Sequence, residues 1–442
     1  MNISYPAAMA RRCCGQRAKP FPPAFPSTCP SATRARRVPG LLLATFLACL
    51  PAASQALSFS EAVALAQGQS PALSAQQLQI AAAASVQVSA GALPDPKLSV
   101  GVENLPVSGM DRWSLTRDFM TMQRIALMQD VPNAAKREAQ RQTAQARTER
   151  ERALLVIQRL QLQLDLSLAW IAAQSADQRK SLLDELLAEN QRLQESLPAR
   201  IAAGSAQATD LLMARQEALG LKDRQDELAR DRLKARSALR RWLGARADEP
   251  LADPPPTLRI PLEQLRANLD RHAELALYPA MRQMAQAEMS EAQAENRGDW
   301  GWEVAYSRRG RQWGDMVSVQ LSFDLPWQKE RRQQPQIRAK QLEAQRVEAE
   351  QEDVARRHLQ ELDDAAAELS TLERQIERLV STGISLSRER ASLALTNYQT
   401  AKGDLSNVLG ARAQVLESRL RLIDLTAQRD VLIARLNSLT AP

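Results

Sequence analysis

The chain has 442 residues with aromatics at only 4% and charged residues at 25%, and its wealth of Ala, Leu, Gln, Arg and Glu belongs to long helices rather than to several compact cores. The formal charge of +7 suggests an anionic partner, yet residues 1–56 hold seven basic groups and no acid, leaving 51 basic against 51 acidic groups in the rest. That balance removes the main support for binding nucleic acid.

Arg34, Arg36 and Arg37 precede an apolar run over residues 41–50, and Ser54-Gln55-Ala56 offers small residues for a cut before Leu57. This is the pattern of an export leader, because the run is too short to span a bilayer. Cys13, Cys14, Cys29 and Cys49 all lie in it, so the exported chain is expected to carry no disulfide framework and no thiolate metal site. Phe46-Leu47-Ala48-Cys49 matches a lipoprotein processing site poorly, which leaves lipidation of Cys49 as an alternative.

Phe59-Ser60-Glu61-Ala62 opens an Ala- and Gln-rich helical segment that ends at Pro94-Asp95-Pro96. Leu98, Val100 and Val102 then alternate with polar or small residues, and residues 123–129 (QRIALMQ) form a weaker alternating stretch closed by Asp130-Val131-Pro132. No Gly or Pro interrupts residues 133–197, a helix of about 100 Å at ~1.5 Å per residue. Leucines at 160, 162, 164 and 166 alternate as in a strand, but the charged, breaker-free flanks argue for a helix packed from two sides. After Gly204, the residues Leu211, Ala214, Ala218, Leu221, Leu228, Ala235, Leu239 and Trp242 trace a heptad seam broken at Gln225 and Arg232.

The plan then recurs. Leu262-Glu263-Gln264-Leu265 opens a second helical segment ending at Gly298-Asp299; Trp300, Trp302, Val304 and Tyr306 alternate, as do Val317, Val319, Leu321, Phe323 and Leu325, and Asp324-Leu325-Pro326 repeats the first junction. Adding 197 to the first seam gives Val408, Ala411, Val415, Ser418, Leu422, Leu425, Arg429, Leu432, Leu436 and Leu439, with arginine at the same step. The expected organisation is a leader over 1–56, a first repeat over 57–259 and a second over 260–442. Each repeat comprises a helix, two strands and a helical hairpin.

The four alternating segments have the length of transmembrane β-strands, and Trp113, Trp300, Trp302, Trp313 and Trp327 lie in or beside them as an interfacial girdle requires. Four strands cannot close a barrel, and hydrocarbon does not tolerate an open sheet edge. Three chains would supply twelve strands. The expected class is mainly α with a small transmembrane β part, made of long duplicated coiled-coil helical hairpins and of four strands per chain that complete a twelve-stranded β-barrel in a homotrimer. The competing readings are soluble hairpins packed on helices, a periplasmic adaptor, and a pore-less coiled-coil protein of the envelope.

Chemistry is sparse. No phosphate loop, HExxH or nucleophile elbow occurs, so no enzyme and no cofactor is expected. His272 and His358 stand in different segments without ligand-spaced neighbours and are expected to be surface or packing residues, not a metal site. Met120 and Met122 could be soft ligands, though packing is the simpler reading. Asp210 and Asp404, near the hairpin tips, could ring a constriction and attract cations, or cap helices.

At this point the chain resembles the TolC-like outer-membrane efflux family. The resemblance rests on the duplicated plan, the junctions Asp130-Val131-Pro132 and Asp324-Leu325-Pro326, and two tips. Ile201-Ala202-Ala203-Gly204 leads to Asp210-Leu211-Leu212 and Ala214, and Tyr398-Gln399-Thr400-Ala401 leads to Asn407-Val408-Leu409 and Ala411. Ile201 departs from the usual aromatic and Ala401 from the usual Gly. The resemblance implies a trimeric channel with a twelve-stranded barrel in the outer membrane, whose long hairpins form an α-barrel that extends through the periplasm. Its tips, at Gly204, Asp210, Leu211, Tyr398, Ala401, Asp404, Asn407 and Val408, would meet a periplasmic adaptor fed by an inner-membrane pump of the RND type, with no catalytic role for the channel itself. The stretches 93–98 and 119–124 look like the cation-efflux branch (CzcC-like and CusC-like), which implies heavy-metal cargo.

Overall fold

The computed structural model describes residues 56–252, 254, 257–259, 261–400 and 402–439. The leader up to Gln55, with Cys49, and Ala401 at the second tip lie outside the described residues.

Helix α1 (Phe59–Gln69) starts at Ser58, whose hydroxyl accepts the Glu61 N–H while the Glu61 carboxylate accepts the Ser58 N–H, a reciprocal cap. Pro71 ends α1 and begins α2 (Pro71–Ser89), with Ser70 as the new cap. Strands β1 (Lys97–Glu103) and β2 (Met122–Val131) follow, then α3 (Ala134–Ala202) and α4 (Ala208–Leu243). The second half runs through the short α5 (Leu262–Ala267), 3-10 turns, α6 (Tyr278–Ala294), β3 (Trp300–Arg308) and β4 (Met316–Phe323). It ends with α7 (Gln333–Arg378), one π-helical turn over Leu379–Gly383, α8 (Ile384–Gln399) and α9 (Leu405–Asn437).

The strands form one antiparallel sheet in the order β1-β2-β3-β4. Its register aligns Leu98, Leu127, Val304 and Val319 in one row and Val100, Ile125, Tyr306 and Val317 in the next. All eight side chains are exposed. Because strand side chains alternate, the opposite face carries the polar set, where Arg124 bridges Glu103 at 2.7 Å and also Glu303, and Lys97 meets Asp130 at 2.8 Å. Stretch 123–129, the weakest of the four in sequence, lies inside the longest strand; it is held between two neighbours, so pairing compensates for its imperfect alternation.

Beneath the sheet the helices pack in the order α2, α3, α6, α7, and farther along α4 and α8 flank the inner pair α3 and α9. α3 is helical through the alternating leucines, and Leu160, Leu162 and Leu166 are buried, since neighbours cover it on several sides. One core joins Leu57, Phe59, Leu166, Trp170 and Leu239, with the Phe59 and Trp170 rings edge to face at 5.5 Å. Of the first seam, Ala214, Leu221, Leu228, Ala235 and Leu239 are buried; of the second, Val408, Ala411, Ser418, Leu425, Leu432 and Leu436.

Candidate functional site

Three places hold the candidate residues: the sheet, its junctions with the helices, and the hairpin tips. At the first junction Asp130 lies within β2, and Pro132 precedes Asn133, which caps α3 by accepting the Lys136 N–H at 2.9 Å. Although a proline suits the first helical position, neither junction proline occupies it. Asn133 holds the cap position in the first junction; in the second, Pro326 is followed by turns through residue 332 before α7 begins, no Ser, Thr, Asn or Asp being there to cap an earlier start. Asp324 is tied in by its backbone, its N–H donating to the Asp299 carbonyl at 2.8 Å. Gly298 makes that approach possible, because a Cβ there would stand 1.7 Å from the Asp324 carbonyl oxygen.

At the first tip, α3 continues past Pro198 to Ala202, and Gly204 takes a left-handed φ of 70°. The Ser205 N–H then donates back to the Arg200 carbonyl at 2.9 Å, closing the helix as a glycine at this position permits. Asp210, in the first turn of α4, accepts the Gln207 N–H at 3.0 Å and the Tyr398 hydroxyl at 2.8 Å on the same oxygen. That second bond joins the two hairpins of one chain. The Arg200 guanidinium sits 4.5 Å from the Tyr398 ring centre, and Leu197, Ala214, Leu405 and Val408 pack around the pair, with Leu211 at its margin. Burial first, and then the bond to Asp210, push the Tyr398 hydroxyl up to about 12.

Sequence placed Asp210 either in a cation-attracting ring or in a cap. The structure shows a residue only 5% exposed, engaged in the tip bond and in the start of α4. Within the single chain its carboxylate therefore does not present itself to a solvent-filled passage. Asp404 and Asn407 are exposed at the start of α9, where Asp404 makes no side-chain cap and the Asn407 N–H donates to its carbonyl at 3.2 Å.

The seam breaks acquire partners. Arg232 donates to Asp177 at 2.7 Å and Gln225 to Asp184 at 3.2 Å, both acids on α3, so each break is a polar step between helices of the first hairpin. Arg429 instead binds its neighbour Asp430 at 2.8 Å. Asp177 was not singled out from sequence, nor was Arg236, which reaches Asp177 at 2.5 Å and the carbonyls of Ala247 and Glu249 at 2.7 and 2.9 Å; an acid on a charge-rich helix carries no distinguishing local signal.

His272 and His358 come together as buried rings 5.3 Å apart. They are packing residues; the surface alternative is corrected, since the turns after α5 fold onto α7 and enclose both. Among the described residues no three His, Cys, Asp or Glu side chains converge as a metal cluster. Met120 is exposed in the loop before β2, and Met122 begins that strand.

No family model and no curated protein matches the chain. Solved structures do. A membrane protein from Pseudomonas aeruginosa superposes with a TM-score of 0.73 at 17% identity, over 86% of this chain and 89% of that one. CusC gives 0.70 at 17% identity over 87% and 92%, and the outer membrane protein VceC from Vibrio cholerae gives 0.69 at 18% over 86% and 95%. This chain has the TolC-like outer-membrane efflux channel fold. Within that fold, the two junctions join the sheet, with its exposed apolar face, to the helices whose hairpins end in the paired tips.

Proposed function

We propose that the chain is one third of a passive exit duct in the outer membrane, extending into the periplasm, and that the duplicated halves 57–259 and 260–442 each contribute two strands and a hairpin to it. The observation that carries this reading is the sheet: four strands with an uncovered apolar face, a charged opposite face and two unpaired edges, β1 and β4. Hydrocarbon suits the first face and an aqueous lumen the second, and only closure with further copies removes the edges. The helical layer repeats the argument. α4 exposes Leu212, Leu219 and Leu233, and α8 exposes Leu386 and Leu393, heptad-spaced stripes on the two flanking helices that fit each other in a neighbouring copy. No helix among the described residues is long and apolar enough to cross a membrane, which leaves the sheet as the spanning element.

In this reading the tips around Gly204 and Tyr398 face a periplasmic adaptor and an inner-membrane pump, and the chain supplies no catalysis. The finer assignment, heavy-metal cations as cargo, is supported by the likeness of stretches 93–98 and 119–124 to the cation-efflux branch. Membrane fractionation followed by native mass measurement in detergent tests the duct: a membrane-bound trimer is expected, and a soluble periplasmic monomer would overturn it. Loss of the chain is expected to sensitise cells to metal salts; sensitisation to hydrophobic drugs alone would overturn the cargo assignment.

A further inference from the structure

The two strand-to-helix junctions share the Asp-x-Pro motif but are finished differently. At the first, Asp130 is paired with Lys97 at 2.8 Å, and Asn133 caps α3 while donating to the Asp299 carboxylate at 3.0 Å. At the second, Asp324 is exposed with no ion pair among the described residues, and α7 starts without a side-chain cap. Arg297 and Arg332 likewise form no ion pair among the described residues, whereas Lys136 stands 3.8 Å from Glu295 and 3.5 Å from Asp299 and so balances those two acids. Between these groups lies a cavity of about 340 Å3, which Lys136, Glu295, Asp299 and Gln333 also line. Gln333 is only 9% exposed, and its Oε1 is buried without a donor.

This lining is two-signed. Two free guanidiniums and an uncapped helix N-terminus suit a phosphate, which arginine grips with paired N–H groups and a helix start favours electrostatically. A free carboxylate and a buried acceptor suit a cation that donates hydrogen bonds. Leu325 and Trp327 stand alongside at 64% and 85% exposure, where acyl chains would run and where tryptophan is favoured at a membrane interface. We propose that the β4–α7 junction binds the headgroup of a zwitterionic phospholipid bearing a primary ammonium, with its phosphate on Arg297 and Arg332 and its ammonium on Asp324 and the Gln333 Oε1. The proposal rests on the membrane-embedded reading of the sheet, whose helix-side rim is then the level of the lipid headgroups.

A quaternary choline cannot donate to Oε1, and a glycerol headgroup has no cation, so the site discriminates among phospholipids of equal chain length. The test is native mass spectrometry of the detergent-purified full chain with phosphatidylethanolamine, phosphatidylcholine, phosphatidylglycerol or chain-free glycerophosphoethanolamine. One phosphatidylethanolamine per chain is expected, with phosphatidylcholine and phosphatidylglycerol held about tenfold more weakly or worse, as loss of one charge-assisted hydrogen bond implies, and glycerophosphoethanolamine more weakly because it has no acyl chains to bury. Arg332→Ala should weaken all the phospholipids, and Gln333→Leu should lower phosphatidylethanolamine to the level of phosphatidylcholine. Asp130→Asn, at the closed junction, should change neither. Equal retention of the three lipids, or retention unaffected by Arg332→Ala and Gln333→Leu in an intact assembly, overturns the site. Equal binding of glycerophosphoethanolamine overturns its assignment to a lipid. An intact detergent trimer without bound phosphatidylethanolamine defeats this proposal alone, whereas a soluble monomer defeats the duct.

Discussion

Tyr398 donates its hydroxyl to a buried carboxylate, so Tyr398→Phe would leave Asp210 with the Gln207 N–H as its remaining donor at that oxygen. The expected cost is about 1.5–3 kcal/mol, read as a lower denaturation midpoint together with a larger conductance in planar bilayers as the hairpins part. An unchanged midpoint and conductance would contradict the tip bond. The tyrosine's raised pKa sets the sign of its pH dependence: the stabilisation is complete below the ordinary value of 10 and is lost as pH climbs toward about 12. His272 behaves oppositely. Burial, and then the neighbouring His358, lower its pKa from 6.5, against the opposing Leu265 carbonyl and Glu361, and Glu274 and Arg357 complete the charged surroundings of His358. As pH falls the unfolded chain protonates first, so stability is complete above 6.5 and declines as pH drops through the lowered value. His272→Phe should flatten the fall in melting temperature between about pH 7.5 and about pH 5.5; an undiminished slope would exclude His272 as its source. Neither contact was legible in sequence, because the partners are separated by whole helices.

Helices and strands follow their local patterns more closely. The apolar alternation of β3 and β4 marks both strands because a pleated chain exposes every second residue to the same solvent. The alternating leucines of α3 mislead by themselves, since an interior helix needs apolar groups on more than one face. The seam of α4 announced its polar steps but not their partners, which depend on how α3 lies beside it. Arg236→Ala removes bonds to Asp177 and to two carbonyls, leaving a charge network at the base of the hairpin broken, and should destabilise the fold by about 3 kcal/mol in chemical denaturation. A loss below about 1 kcal/mol would mean that water replaces those bonds. Gly298→Ala drives a methyl into the Asp324 carbonyl; it should reduce the membrane-inserted fraction severalfold while helix content persists, and normal insertion would show that the junction yields.

For the whole molecule, the open edges of the sheet and the leucine stripes of α4 and α8 point to the same remedy, further copies of the chain. Leu212→Asp combined with Leu219→Asp places charge on one stripe and should shift the native mass from trimer toward monomer while circular dichroism stays helical; an intact trimer would remove α4 from the interface. Sequence by itself determined the long helices, the four strands and the apolar face of the sheet, because periodicity is a local property that survives without knowledge of neighbours. Only the tertiary structure decided that Asp210 closes a tip instead of facing open solvent, that two distant histidines share one buried site, and that the second Asp-x-Pro junction stays open where the first is sealed. Those outcomes depend on distances between elements, and identical local motifs leave such distances free.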